Sequence, residues 1–211
     1  MKKLILIAAL GATALSSLAG VAAAQETYAV TKYEYQRDNG VETHGLTFGL
    51  SGTYASGFAY DLELMSADTA GHGLIGTSIE LGYRFGGIAG PVALYETSKA
   101  GALRADNFLI GVEGGTHLKG AGVFGKALFN TDDADVYRLG VGAEYVINDD
   151  LAVTGELTHF REVAVANSNM FEVGARYRVT ANMHADLGAR YERASGGAER
   201  TALHMGLGFA F

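Results

Sequence analysis

The feature that most constrains this chain is a two-residue rhythm of apolar and small or polar side chains, repeated through nearly its whole length. Near the C-terminus Leu203, Met205, Leu207, Phe209 and Phe211 alternate with His204, Gly206, Gly208 and Ala210. The same beat runs through Phe171, Val173, Ala175 and Tyr177 against Glu172, Gly174, Arg176 and Arg178, and through Leu139, Val141, Ala143 and Tyr145 against Arg138, Gly140, Gly142 and Glu144. It recurs upstream in Ile75 to Phe85, Phe58 to Leu64 and Leu46 to Leu50. A period of two places alternate residues on opposite faces of a β-strand, and it is incompatible with a helix. The expected fold class is therefore all-β.

The first 24 residues stand apart from this rhythm. MKKLILIAALGATALSSLAGVAAA has a basic start at Lys2 and Lys3, an apolar stretch, and small residues at Ala22 and Ala24, the parts of a secretory signal peptide. Residues 1–24 are expected to be removed, leaving 25–211 as one domain of 187 residues, 24 fewer than 211. An exported chain without cysteine has no disulfide framework. Past the leader no run of 18 apolar residues exists, so no membrane helix is expected. A closed β-barrel is the remaining way for such a chain to span a bilayer, since only closure satisfies every strand edge. Without Lys2 and Lys3 the net charge of −7 becomes −9, a sign unsuited to nucleic-acid phosphates.

Turn signals divide the chain into twelve segments, near 27–37, 41–54, 57–66, 73–85, 89–97, 105–117, 121–130, 135–147, 150–161, 168–180, 182–193 and 199–211. The prediction is a closed antiparallel up-and-down transmembrane barrel of 12 strands, within a range of 10 to 14. The range reflects two weakly patterned segments: Val92 to Thr97 reads in either parity, and Gly125 interrupts Val123 to Phe129. Longer connections are expected at the odd turns, such as 67–72, 98–104, 130–134, 162–167 and 194–198, and tight ones at the even turns, as in barrels with both termini in the periplasm. A soluble sandwich with the apolar face as its core would have to leave Gly76, Gly82, Gly140, Gly142, Gly174 and Gly188 as its wet surface. Inside a narrow tube the same glycines make room.

HGLTFGLSGTYASGFAYDLEL, His44 to Leu64, resembles the early hairpin of alphaproteobacterial general porins, and the final GLGFAF is similar to the last strand recognised by the outer-membrane assembly machinery. The resemblance implies an outer-membrane location in a Gram-negative cell, an assembly signal at Phe209 and Phe211, outer-membrane lipid and the assembly machinery as partners, and passive diffusion of small polar solutes. It departs from those porins in length, which suits neither sixteen strands nor a long third loop folded into the pore. Twelve-stranded acidic-sugar channels are nearer in size but call for a basic lumen. The residues specify no subunit number.

The inward parity selects the candidate lumen residues: Glu80, Arg84, Glu113, Lys126, Arg138, Glu144, Glu156, Glu172, Arg176, Asp186 and Arg190, with Lys32, Glu34, Asp61, Glu63 and Arg178 on the same face. In one reading these charges line water, tune ion selectivity and set a transverse field. In the other, acids and bases pair between strands and plug a non-conducting structural or adhesion barrel. No cofactor is implied. Lipid hydrolysis would need a serine two residues after a histidine, but Arg161 follows His159 at that spacing, which leaves only Ser168 and Asn167 nearby in sequence. His184 and Asp186 share a face and His204 sits on the next strand, a pattern that admits a divalent ion or an ordinary polar network. Asp132, Asp133 and Asp135 form an acidic loop of the kind that is usually only solvated.

Overall fold

A computed structural model describes residues 26–38, 40–118, 120–133, 135–161 and 167–211. The leader lies outside the described residues. Twelve antiparallel strands follow in chain order: β1 Glu26–Asp38, β2 Val41–Thr53, β3 Phe58–Thr69, β4 His72–Tyr83, β5 Ala89–Ala100, β6 Leu103–Leu118, β7 Ala121–Asn130, β8 Tyr137–Asn148, β9 Leu151–Arg161, β10 Ser168–Thr180, β11 Met183–Ala194 and β12 Glu199–Ala210. Each pairs with its sequence neighbours, and β1 pairs with β12 from Tyr28↔Ala210 to Asp38↔Arg200, so the sheet closes with no edge. The shortest, β7, has 10 residues, enough to cross a bilayer core at a tilt.

Closure explains the rhythm. Ile75 (62% exposed), Leu187 (63%) and Met205 (59%) point outward, as do dozens of atoms from Leu, Val, Ile and Phe around the wall, while the buried apolar set is small. A sandwich core would bury these side chains, and a soluble monomer does not expose an apolar surface of this extent. Hydrocarbon is the medium that such a face requires. Tyr145, Tyr177, Phe85 and Phe211, all well exposed, gather at the rim where β1 begins and β12 finishes, and Phe209 lies just inside it. Phe211 is fixed there by its N–H donating to the carbonyl of Thr27 at 3.0 Å. At the opposite rim the aromatics carry polar partners: Tyr33 Oη with His44 Nδ1 at 2.7 Å, Tyr95 Oη donating to Asp106 at 3.1 Å, and Tyr137 Oη with His159 Nε2 at 3.0 Å. An apolar ring with a hydrogen-bonding tip suits a membrane interface.

One expectation is corrected in part. The connections predicted to be long at 67–72 and 98–104 are two-residue turns, because β3 runs on to Thr69 and β5 to Ala100. At the first of these, Ala70 (φ 50°) and Gly71 (φ 85°) both adopt the left-handed region of a primed hairpin turn, and Asp68 Oδ1 accepts the Gly71 N–H at 3.0 Å. The local turn chemistry lets the strands zip to their ends. The even connections 54–57 and 84–88 are longer than these two, the latter tied by an isolated bridge between Phe85 and Ala89, whereas in the second half of the chain the odd connections 131–136 and 195–198 are longer than the two-residue even ones, as expected. Residues 162–166 of the ninth connection lie outside the described residues.

The register also decides a parity that the sequence left open. Register places Val92 opposite Gly82 and Leu94 opposite Glu80, so the ambiguous β5 turns Val92, Leu94, Glu96 and Ser98 inward. Val92, Leu94, Leu109 and Leu128 then form a buried aliphatic cluster on the inner wall of β5, β6 and β7. The lumen is not uniformly polar. Either parity of β5 mixes apolar and polar residues, and only its partners decide which one faces in.

Candidate functional site

Twelve strands about 4.8 Å apart and tilted about 40° close at a backbone radius of about 12 Å. Long side chains from well-separated strands therefore meet inside, and the ion pairs show it. Lys126 Nζ on β7 reaches Glu80 on β4 at 2.5 Å and stands 3.7 Å from Glu113 on β6, whose other oxygen takes Arg84 Nε at 3.0 Å. Arg138 on β8 grips Glu96 on β5 with two parallel bonds of 3.1 and 3.2 Å, spanning the two strands that carry Leu109 and Leu128. A guanidinium and a carboxylate joined by two bonds form the strongest geometry open to this pair. Together these links thicken the β4–β8 side of the wall.

A second group lies across the tube. Arg190 donates to Glu34 at 2.6 Å, across β12, and Arg200 holds Asp38 and Glu192 on its two flanking strands, each at 3.3 Å. Arg176 pairs with its register partner Asp186 at 2.9 Å. Glu172 stands 3.9 Å from His204, and Glu156 accepts a bond from Thr158 at 2.8 Å. Glu144 keeps the inward parity with no ion pair among the described residues. All eleven sequence-selected positions therefore share the inward face, and the structure divides them into these two groups with Glu144 apart.

Three further charged members of the lumen escaped the sequence reading. Glu96 was hidden by the parity of β5, and Asp38 and Arg200 sit at the ends of their strands, where the alternation fades. Glu192 was legible, two residues beyond Arg190 on the same face.

The competing chemistries are not assembled. His159 points outward, held between Tyr137 and Asn169 Oδ1 (2.9 Å), whereas Ser168 is on the inward parity and wholly buried. The pair needed for hydrolysis faces opposite sides of the wall. His184 Nε2 meets Asp186 at 3.2 Å while His204 turns to Glu172, and among the described residues no three His, Asp or Glu side chains converge as metal ligands. In the acidic loop Asp133 Oδ1 accepts the N–H of Asp135 at 3.0 Å, so that carboxylate is used as a turn acceptor.

Between the two charged groups lies open space. A central cavity of about 690 Å³ is walled by both, from Asp61, Glu80 and Arg84 round to Arg190 and Arg200, with Phe124, Phe160 and Met170 supplying apolar surface. Four more cavities, of about 480, 460, 280 and 170 Å³, continue it in both directions.

No protein-family description matches the chain, and no curated protein matches it. Solved structures do match. The KdgM porin superposes with a TM-score of 0.62 at 16% identity, covering 86% of this chain and 99% of that one, and it has also been seen in complex with disordered oligogalacturonate. The NanC porin gives 0.62 at 12% identity, covering 86% and 98%. The Acinetobacter baumannii outer membrane protein Omp33 gives 0.53 at 11%, covering 90% and 99%. The chain has a porin-like outer-membrane barrel fold. With the lipid-facing belt described above, this fold places the barrel in a bacterial outer membrane, and the folds it shares are those of porins and channels.

Proposed function

We propose that the barrel is a passive channel that carries small hydrophilic solutes or ions through a narrow charged lumen. One observation carries the reading: the five cavities share walls in series. Asp61, Glu80, Arg84 and Glu113 line both the central cavity and the one at the terminal rim, and Arg138 joins the centre to the cavity ending at Ser98 and Ala105 near the opposite rim. Water-filled space bounded by charge from end to end is what conduction requires. The inward carboxylates outnumber the inward cations, which favours cations and suits a polyanion such as the oligogalacturonate seen with KdgM poorly.

The second reading, a non-conducting structural or adhesion barrel, rests on the ion pairs joining β4 to β7 and β5 to β8, which fill part of the bore. Refolded protein in a planar lipid bilayer separates the two. Stepwise single-channel currents are expected, and an inserted barrel that passes no current would remove the channel reading. In either reading the outward Phe209 and Phe211 serve as the assembly signal, with outer-membrane lipid and the barrel assembly machinery as the partners.

A further inference from the structure

The inward charges are not equivalent. Most are committed to one another, as Glu80 is to Lys126 and Glu96 to Arg138. On β3, by contrast, Asp61 and Glu63 form no ion pair among the described residues, and the register explains why. Asp61 lies between Ser51 on β2 and Glu80 on β4, and Glu80 is already taken; Glu63 lies between Gly49 and Ser78. Neither neighbouring strand offers a cation.

Their position matters as much as their freedom. Every one of the five cavities has Asp61 or Glu63 in its wall: Asp61 borders the central cavity and the one at the terminal rim, Glu63 borders the two toward the opposite rim, and both border the remaining one. A solute taking this route passes these two carboxylates. Lys32, also without an ion pair among the described residues, borders two of the cavities that Glu63 borders. Glu144 provides the contrast, an inward carboxylate equally without an ion pair among the described residues that borders none of the five.

We infer that Asp61 and Glu63 determine the charge preference of the channel, favouring small cations over anions in transit, while the ion-paired residues brace the wall. The inference rests on the channel reading above and assigns no resident ion. A paired charge presents a dipole whose field falls quickly, whereas an unpaired carboxylate about 6 Å from a passing ion in water changes its local population about threefold.

The test is the reversal potential of single channels in a KCl gradient, with insertion verified by heat-modifiable gel mobility. Asp61→Asn with Glu63→Gln is expected to lower the cation-to-anion permeability ratio about tenfold for each charge removed, about threefold from the cation and about threefold from the anion. Lys32→Gln is expected to raise it, and Glu144→Gln to leave it unchanged. A double variant that keeps the wild-type ratio overturns the inference, as does a wild type that conducts but prefers anions; in both cases the channel reading survives. If the double variant fails to insert, an unchanged ratio in Lys32→Gln overturns it instead. A wild type that inserts and passes no current removes the channel reading and this inference with it.

Discussion

The link between Arg138 and Glu96 gives the sharpest test of how the interior is held. Its two bonds of 3.1 and 3.2 Å join side chains that are 29% and 31% exposed, so the pair is neither dry nor freely solvated. Two unit charges about 4 Å apart attract by about 4 kcal/mol at an effective dielectric of 20 and by about 1 kcal/mol in water. Ordering two long side chains and stripping part of their hydration offsets some of this. A coupling energy of about 1.5–2 kcal/mol is expected. The assay is a double-mutant cycle of Glu96→Gln, Arg138→Gln and the combined variant, which isolates the pairwise contribution. Stability is read from urea unfolding of the refolded barrel in detergent micelles, followed by far-UV circular dichroism because the chain has no Trp. Each single variant is expected to lose more than the pair is worth, since it strands an opposite charge beside the aliphatic wall. A coupling below about 0.5 kcal/mol would refute the idea that this link braces β5 against β8.

Three further outcomes follow from the same geometry. Leu128→Ala, which empties a fully buried position in the β5–β7 cluster, is expected to cost about 3 kcal/mol in the same unfolding assay, whereas Leu187→Ala on the lipid face is expected to cost much less. Gly142→Ala is expected to destabilise by about 1–3 kcal/mol, because a Cβ there would collide with the Phe124 ring; pairing it with Phe124→Ala should recover part of the loss in that unfolding assay. Raising the salt from 0.1 to 1 M shortens the screening length from about 10 to about 3 Å, so the cation preference measured in the bilayer is expected to fade toward unity.

How much of this was legible in the sequence differs between wall and lumen. β7 and β10 begin and end where the turn signals put them, and every strand fell within a few residues of its predicted segment, because alternation and turn residues act over short range. The rims of β3 and β5 did not, since whether a hairpin zips to its last residue depends on backbone conformations such as those of Ala70 and Gly71. The inward parity of Glu80, Arg138 and Arg190 could be read from their own strands. Their partners could not: Glu80 and Lys126 are 46 residues apart and Arg190 and Glu34 are 156 apart, distances over which no local pattern carries information.

The sequence by itself determined the β class and the two faces of the wall and narrowed the strand count to between 10 and 14, because each follows from a period of two and a need to satisfy every backbone edge in hydrocarbon. Only the closed tertiary structure decided which charges neutralise one another and which stay free. That choice depends on the register of strands and the curvature of the barrel, which bring Arg138 to Glu96 across two strands and leave Asp61 and Glu63 facing open space with no ion pair among the described residues. The physical reason is that pairing is a property of distances across the bore, and those are fixed by closure alone.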